Sequence, residues 1–159
     1  MEILRAYKTE MAPNNREASQ LQRFAEVRRF VFNIGLREWK CSYERGEKPS
    51  AYKLKKQFNA VKDDYFPKVR DAPYAVTEAA FRDLGDAYKH FFRRVKAGEK
   101  PGHPKFKRRA NSFAVRNTRV ERDRVRLQGV GWVRLKESGY IPTTDSGLKF
   151  GTYATISKR

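Results

Sequence analysis

Residues Phe91 to Arg109 read FFRRVKAGEKPGHPKFKRR and separate two halves of the chain that differ in hydrophobic period. Before this stretch, apolar residues recur every three or four positions, as they do in helices. After it, short β-branched and aromatic runs predict strands. Within it, Gly98, Pro101, Gly102 and Pro104 end a helix and keep the following segment extended. The stretch therefore predicts a helical part and a β part joined by an extended connection.

The same stretch is strongly basic. It holds one acid, Glu99, against nine basic residues when Lys89, one turn earlier, is included, and three phenylalanines are interleaved. Cations attract a nucleic-acid backbone, and aromatic faces cover sugars and bases. We predict phosphate-binding roles for Lys89, Arg93, Arg94, Lys100, His103, Lys105, Lys107, Arg108 and Arg109. A solvated basic linker between two domains is the alternative interpretation.

Composition makes an anionic partner the first expectation. The 159 residues, enough for one ordinary domain or two small ones, include 36 Lys+Arg against 18 Asp+Glu, a net charge of +18. Self-repulsion of this size opposes compaction unless an anion neutralises it, so nucleic acid is the first candidate and an anionic membrane surface the second. No apolar run approaches the length of a bilayer span, and the N-terminal residues lack the order of a signal peptide. We therefore expect no membrane partner.

Cysteine usage bears on the compartment. Cys41 is the single cysteine, which excludes an internal disulfide and a cysteine-only zinc site within this chain. A lone thiol fits a reducing cytosol or nucleoid. We expect a cytoplasmic, nucleoid-associated prokaryotic protein.

Three amphipathic helices are predicted before the basic stretch. The first runs from Glu17 to about Arg45, on a stripe of apolar residues three or four apart. The second follows Ser50, a suitable N-cap. The third begins near Val76 and ends at Gly98, a favourable position for a left-handed residue.

Two features inside these helices carry packing expectations. Gly35 weakens the first helix by about 1 kcal/mol relative to alanine, so we expect it to mark a close approach of a neighbouring helix. The stripe of the third helix is the clearest amphipathic pattern in the sequence, and we interpret it as ordinary bundle core. Its members are Phe81, Leu84, Tyr88, Phe91 and Val95.

The predicted fold is α+β, a small β-barrel interrupted by a three-helix insertion. Predicted strands cover Met1 to Glu10, Ser112 to Asn117, Arg119 to Leu127, Gly131 to Leu135 and Gly151 to Ser157. Residues 1–12 would supply the first barrel strand, 13–110 the helical domain and 111–159 the rest of the barrel. The alternative, a helical domain followed by an independent sheet, leaves the first strand without a partner.

Several motifs together resemble a known family. They are RRFVFNIGL from Arg28 to Leu36, FRDLGDAYKHFFRR from Phe81 to Arg94, GEKPGHPKFKRR from Gly98 to Arg109, the Ser112-Phe113 pair, and Gly131 to Leu135. In this order they resemble the N-terminal half of TnpB, the transposon-encoded RNA-guided DNA nuclease family related to type V CRISPR effectors. The resemblance implies a wedge β-barrel interrupted by a helical recognition lobe, in agreement with the split-domain prediction.

The resemblance also implies partners and a second set of site residues. The family cleaves DNA chosen by pairing with a guide RNA, beside a short motif that the protein reads. Guide RNA and target double-stranded DNA are therefore the expected partners. By position, the residues expected to read the motif are Tyr52, Tyr74, Thr77, Glu78, Asn117 and Thr118. Thr77 as an N-cap and Tyr74 as a core residue are equally open interpretations.

This chain departs from the family pattern at its C-terminal end. TnpB proteins continue into a RuvC-like nuclease with three separated carboxylates and a four-cysteine zinc element, whereas this sequence stops at Arg159. Its acids lie among lysines and arginines, and adjacent carboxylates such as Asp63 and Asp64 diverge on a helix. We expect no catalytic residue, metal site or cofactor in this chain, with Mg²⁺ needed only by a missing nuclease domain.

Three functions remain open from the sequence. The chain is the nucleic-acid-binding portion of a nuclease whose catalytic part lies elsewhere, including on a separate nuclease-bearing polypeptide; or a nuclease-less RNA-guided regulator; or a general basic RNA-binding protein. The final run TYATISKR lacks a polar tail, which favours the first.

Overall fold

The computed structural model describes residues 3–116, 119–151 and 153–159, and within them the chain has an α+β fold, as predicted. Three helices come first: α1 (Asn15–Glu44), α2 (Ala51–Tyr65) and α3 (Tyr74–Lys96). Five strands follow: β1 (Ser112–Arg116), β2 (Arg119–Val120), β3 (Arg124–Leu127), β4 (Gly131–Arg134) and β5 (Tyr153–Ser157). Short 3₁₀ turns cover Pro67–Val69 and Thr144–Ser146. The strands form two antiparallel sheets, one of β1 and β5 and one of β2, β3 and β4.

Side-chain caps fix where the helices begin. The Asn14 side chain accepts from the Glu17 main-chain N–H (2.9 Å), and the Glu17 carboxylate accepts from the Asn14 N–H (2.9 Å). This capping box starts α1 slightly before the predicted Glu17. The Ser50 hydroxyl accepts from Lys53 N–H (3.2 Å), which confirms its predicted role as N-cap. After α3, Gly98 adopts a left-handed φ of +79°, also as predicted.

Helix α1 crosses α3 at a glycine. A Cβ atom on Gly35 would lie 2.9 Å from Leu84 Cδ2 and 3.2 Å from Phe81 Cε1, so the predicted close approach is confirmed. Helix α2 covers the other side of Phe81, whose ring lies 5.5 Å from that of Phe58. The predicted α3 stripe is buried as far as Tyr88, but Val95 is 48% exposed because α3 extends beyond its partners.

The sheets share a hydrophobic core with the helices. The ring of Phe24 on α1 meets Phe113 on β1 edge to face at 5.7 Å. At the turn between β3 and β4, Gly129 has φ +80°, and a Cβ there would lie 2.8 Å from Phe24 Cζ. Val115 and Val133 are fully buried in the same cluster as the helical core residues. Both sheets are therefore held against one end of α1.

The strand predicted over Met1 to Glu10 is wrong for the described residues 3–10, which have no regular structure. Ile3 and Leu4 are 64% and 90% exposed, so this segment has no surface in which to bury its apolar side chains. Pairing begins at Glu10, whose carbonyl accepts from the Lys136 N–H (2.9 Å), and Met11 bridges to Leu135 just after β4. The contact is still with the C-terminal sheet, where the prediction placed its partner.

The single strand predicted over Arg119 to Leu127 is a hairpin of β2 and β3. The Glu121 N–H donates to the Arg124 carbonyl (2.9 Å), and the Glu121 carboxylate accepts from Arg124 Nε (2.6 Å). These bonds close a tight turn that alternation of residue type did not reveal. Within the described residues the two sheets do not close into a barrel, so the barrel and the three-part domain division stay predictions.

Candidate nucleic-acid interface

The basic segment, residues 99–111, has no helix or strand and runs antiparallel to α1. The Asn33 amide accepts from Lys107 N–H (2.8 Å) and donates to the Lys107 carbonyl (3.0 Å). About three helical turns before Asn33, Gln22 Nε2 donates to the Ala110 carbonyl (3.1 Å). The predicted extended connection is confirmed, and α1 side chains hold its main chain in place.

The segment presents most of its predicted cationic side chains to solvent. Lys100, His103, Lys105, Arg108 and Arg109 are exposed, as are Lys89, Arg93 and Arg94 on the last turns of α3. Arg94 is paired with Glu99 at 2.6 Å, which reduces its availability to a phosphate. An open groove lies beside α1 and is lined by Lys40, His103, Pro104, Lys105, Phe106 and Arg108. Phe106 is 50% exposed in it. The structure thus exposes four cationic side chains and His103 along one segment.

Lys107 differs from its neighbours because its side chain turns inward. Its Nζ lies 4.5 Å from the centre of the Phe32 ring, and the residue is half-buried. Burial lowers the pKa of Lys107, Arg28 lowers it further, and Asp83 partly offsets both. Lys107 therefore anchors the segment, and its position does not favour the phosphate contact predicted for it.

Aromatic rings support the end of α3 next to the basic segment. Trp39 and Tyr88 stack at 4.1 Å with an interplanar angle of 5°, and burial raises the pKa of the Tyr88 hydroxyl. The Tyr88 ring centre also lies 6.0 Å from that of Phe92, and the Phe91 ring centre lies 4.4 Å from that of His103. His103 is therefore positioned by Phe91 while remaining exposed.

Four of the six predicted motif-reading residues fall on α2 and α3, which are antiparallel. Tyr52 is 72% exposed near the start of α2, and Tyr74 is 45% exposed at the start of α3, so its interpretation as a core residue is wrong. Lys62, near the end of α2, lies with its Nζ 5.8 Å from the Tyr74 ring centre. Since Lys62 is ten residues beyond Tyr52 on α2, Tyr52 and Tyr74 are about 15 Å apart along the axes of the two helices.

Thr77 and Glu78 are engaged within the protein. Thr77 is 3% exposed, and its hydroxyl donates to the Tyr74 carbonyl (2.9 Å). It lies inside α3, so its interpretation as an N-cap is wrong, and its burial contradicts a direct contact with a base. The Glu78 carboxylate accepts from Tyr153 Oη (3.0 Å) and lies 3.9 Å from Lys55 Nζ. Asn117 and Thr118 lie outside the described residues.

Sequence reasoning missed the residues around Glu78 and the junction at Arg28. The Arg82 guanidinium lies 4.5 Å from the Tyr153 ring centre. Tyr153 on β5 therefore contacts two side chains of α3, Glu78 and Arg82. Arg28 on α1 pairs with Asp83 on α3 and donates to Ser112 Oγ (3.1 Å). In the sequence, only the tyrosine of the predicted strand GTYATIS indicated the contacts of Tyr153 with Glu78 and Arg82.

Residues 3–116, 119–151 and 153–159 contain no group of three or more His, Cys, Asp or Glu side chains placed to hold a metal ion. No helix among them has both the length and the apolar character needed to cross a membrane.

Comparison with known proteins agrees with the motifs. A family model described as "Helix-turn-helix domain" (HTH_OrfB_IS605) matches residues 1–48. A protein of Escherichia coli (strain K12) named "Putative RNA-guided DNA endonuclease InsQ" is 30% identical over 151 residues, which are 89% of this chain and 36% of the relative. Both matches support a relationship of the chain to TnpB proteins. The chain corresponds to the N-terminal part of a TnpB protein and spans about a third of the length of the curated relative, 36% of which is aligned.

The range matched by the helix-turn-helix model has a simple structure here. Its described residues contain the N-terminal segment and α1, and α1 is one continuous helix of 30 residues. Helix α2 starts at Ala51, beyond the matched range. The name of the model therefore supports relationship to the TnpB family and supplies no separate recognition helix within residues 3–48.

Proposed function

We propose that this chain is the guide-RNA- and DNA-binding portion of a TnpB-like RNA-guided DNA endonuclease. The observation that carries the proposal is the basic segment, whose main chain is fixed on α1 while its cationic side chains face solvent. An extended, anchored row of cations suits a phosphate backbone because its charges are ordered before the ligand arrives.

In this proposal the protein holds nucleic acid chiefly through its backbone. Lys100, Lys105, Arg108 and Arg109 contact phosphates of the RNA scaffold or of the RNA–DNA duplex, with Lys89, Arg93 and His103 beside them. Pairing with the guide then supplies sequence specificity, and protein contacts supply position and shape recognition. The net charge of +18 also supports an anionic partner such as nucleic acid.

The motif in duplex DNA is proposed to lie along α2 and α3. Tyr52 and Tyr74 are exposed there, and Glu78 is one-quarter exposed between them. Asn117 and Thr118 stay in the proposal on the strength of the family pattern alone. Thr77 acts instead by holding the first turn of α3, and thus Tyr74, in place.

We assign no catalytic role to residues of this chain. Mg²⁺-dependent phosphodiester cleavage needs clustered carboxylates, whereas the acids of this sequence are spread among lysines and arginines. Cleavage would belong to a nuclease domain or a nuclease-bearing polypeptide that works with this chain in the cytoplasm. A nuclease-less regulator and a general RNA-binding protein are the alternatives that the experiment must separate.

The test is to express the chain from its locus, purify it, sequence the co-purifying RNA and measure the intact mass of every protein present. A discrete structured RNA together with a nuclease-bearing polypeptide supports the proposal. The same RNA without a second polypeptide indicates a regulator, and a mixture of ribosomal RNA fragments contradicts both.

A matched pair of variants links the result to the basic segment. Lys105→Ala with Arg108→Ala should release most of the RNA. Lys8→Ala with Lys149→Ala removes the same charge from exposed positions outside the segment and should retain it. Equal loss in both pairs would mean that net charge, and not the segment, binds the RNA.

A further inference from the structure

The outer side of the three-stranded sheet is unusually cationic. In the strand register Arg119 lies opposite Arg126, Arg126 lies opposite Trp132, and Arg124 lies opposite Arg134. These five residues, which we call the arginine face, alternate along the strands with the apolar residues Val120, Val125, Leu127 and Val133 that point toward the core. The arginine face is therefore on the side of the sheet opposite the helices.

The arginine face brings like charges together. Arginines directly opposite one another destabilise a sheet, and this sheet has two such pairs. Glu121 lies 2.6 Å from Arg124 Nε and 3.8 Å from Arg119 Nε, and Asp145 lies 3.7 Å from Arg119. The two opposed pairs place four guanidinium groups on one side of the sheet. Because Arg119 and Arg124 are about half exposed, these ion pairs contribute little stability, so an anion could compete for the arginines.

An aromatic ring gives the arginine face a flat surface. The Trp132 side chain is half-buried, and the Arg124 guanidinium lies 4.4 Å from its ring centre. Nucleic-acid bases stack on aromatic rings and on guanidinium planes, with sequence-tolerant stabilisation. Such a platform serves an unpaired base, since the faces of paired bases are covered by their neighbours in the duplex.

We infer that the arginine face is a second nucleic-acid-binding surface that takes an unpaired strand. Phosphates contact Arg119, Arg126 and Arg134, and a base stacks on the Arg124–Trp132 pair. The shallow groove along Arg119, Arg126 and residues 127–131 extends this surface past the β3–β4 turn. The inference rests on the proposal that the chain binds nucleic acid, but it uses residues separate from the basic segment.

Tryptophan fluorescence tests this inference directly. The chain has two tryptophans, and Trp39 is 7% exposed and stacked on Tyr88. Trp39→Phe therefore leaves Trp132 as the only tryptophan. The probe is a 20-nucleotide oligouridylate, titrated at low salt with fluorescence anisotropy of a labelled copy followed in parallel. We expect Trp132 emission to change and saturate at the same midpoint as the anisotropy.

Variants of the arginine face separate its phosphate contacts from base stacking. Arg124→Ala with Arg134→Ala should weaken oligouridylate binding about tenfold and reduce the slope of log K against log salt by about 0.7, since Arg134 contacts a phosphate, Arg124 stacks on a base, and each lost phosphate contact with a single strand contributes about 0.7. Arg124→Lys with Arg134→Lys keeps the charge but removes the planar groups, so it should keep the slope and lose most of the emission change. Circular dichroism checks that each variant is folded.

The outcomes distinguish this inference from the proposed function. Binding by anisotropy without a change in Trp132 emission overturns the arginine face and leaves the basic segment as the binding site. An equal emission change with polyglutamate, or a larger one with a 20-base-pair duplex, also overturns it. No binding by either method contradicts both proposals. If Trp39→Phe does not fold, Trp132→Phe in the native background must abolish the emission change.

Discussion

At the scale of single residues, Lys107 and Lys105 have opposite roles although they are two positions apart. Lys107 lies over Phe32, where burial lowers its pKa, whereas Lys105 is exposed. We expect Lys107→Met to leave the salt dependence of RNA binding unchanged and Lys105→Met to reduce its slope by about 0.7 for a single strand. Anisotropy titrations at several salt concentrations measure both slopes. A reduced slope for Lys107→Met would restore its role as a phosphate contact.

The same lysine gives a pH prediction with a definite sign. A folded-state pKa below the unfolded value means that the native state binds the proton of Lys107 less readily than the unfolded chain does. This opposes folding at neutral pH, and the penalty shrinks as pH rises above the folded pKa and is gone once pH exceeds the unfolded pKa. Lys107→Met should therefore be at least as stable as wild type at pH 7, with its advantage shrinking toward pH 10 in urea denaturation. An advantage that grows with pH would contradict this.

Asn33 is the residue that positions the basic segment. Its amide both donates to and accepts from the Lys107 main chain, which neither alanine nor aspartate can do. We expect Asn33→Ala to lower the free energy of unfolding by about 1–3 kcal/mol and to weaken RNA binding several-fold. The salt slope should stay unchanged because no cation is removed. Asn33→Asp keeps only the acceptor, so its stability and RNA affinity should fall between those of wild type and Asn33→Ala. A lower salt slope for Asn33→Ala would contradict a purely positioning role.

At the scale of elements, the β3–β4 turn fixes the sheet to α1. Gly129 combines a left-handed φ with a contact in which a Cβ would lie 2.8 Å from Phe24 Cζ. Gly147 has a similar φ of +76°, but no atom lies within 4 Å of its Cβ position. Gly129→Ala should therefore be destabilising beyond Gly147→Ala by about 1–3 kcal/mol, the cost of overpacking a core. Urea denaturation of both variants measures the difference, and equal losses would show that only backbone strain matters.

The helices were predictable from sequence because their signals are local. Apolar spacing identified all three, Ser50 identified the start of α2, and Gly35 identified the crossing with α3. The β2–β3 hairpin was not predicted, although four charged residues from Glu121 to Arg124 interrupt the alternation and Glu121 closes the turn through Arg124. Nor was the fate of residues 3–10, whose apolar side chains lack a surface to cover them.

The candidate site was predictable only as composition. The sequence indicated where cations are dense, and most of them are exposed. It did not distinguish Lys107 from Lys105, or reveal that Thr77 is buried while Tyr74 is exposed, because these differences depend on which neighbours α1, α2 and β5 bring. The arginine face was similarly hidden, since it exists only once β2, β3 and β4 are in register.

At the scale of the whole molecule, one small core supports a net charge of +18. Cations occupy α1, the end of α3, the basic segment and the arginine face, so their mutual repulsion is spread over both the helical and the sheet parts. Only some are paired with carboxylates among the described residues, and most of these pairs are exposed. The free protein should thus be less stable than its core alone would make it.

Binding of RNA should relieve this repulsion and raise the melting temperature. A ligand that binds only the native state stabilises it in proportion to the logarithm of its concentration over Kd, and salt weakens both the repulsion and the binding. We expect the RNA that co-purifies with the chain to raise Tm more at 50 mM than at 300 mM salt. Arg108→Ala with Arg109→Ala should reduce this increase, whereas Lys8→Ala with Lys149→Ala should leave most of it. Differential scanning fluorimetry measures each case, and a melting temperature that RNA does not alter at low salt would contradict the expected role of charge in this protein.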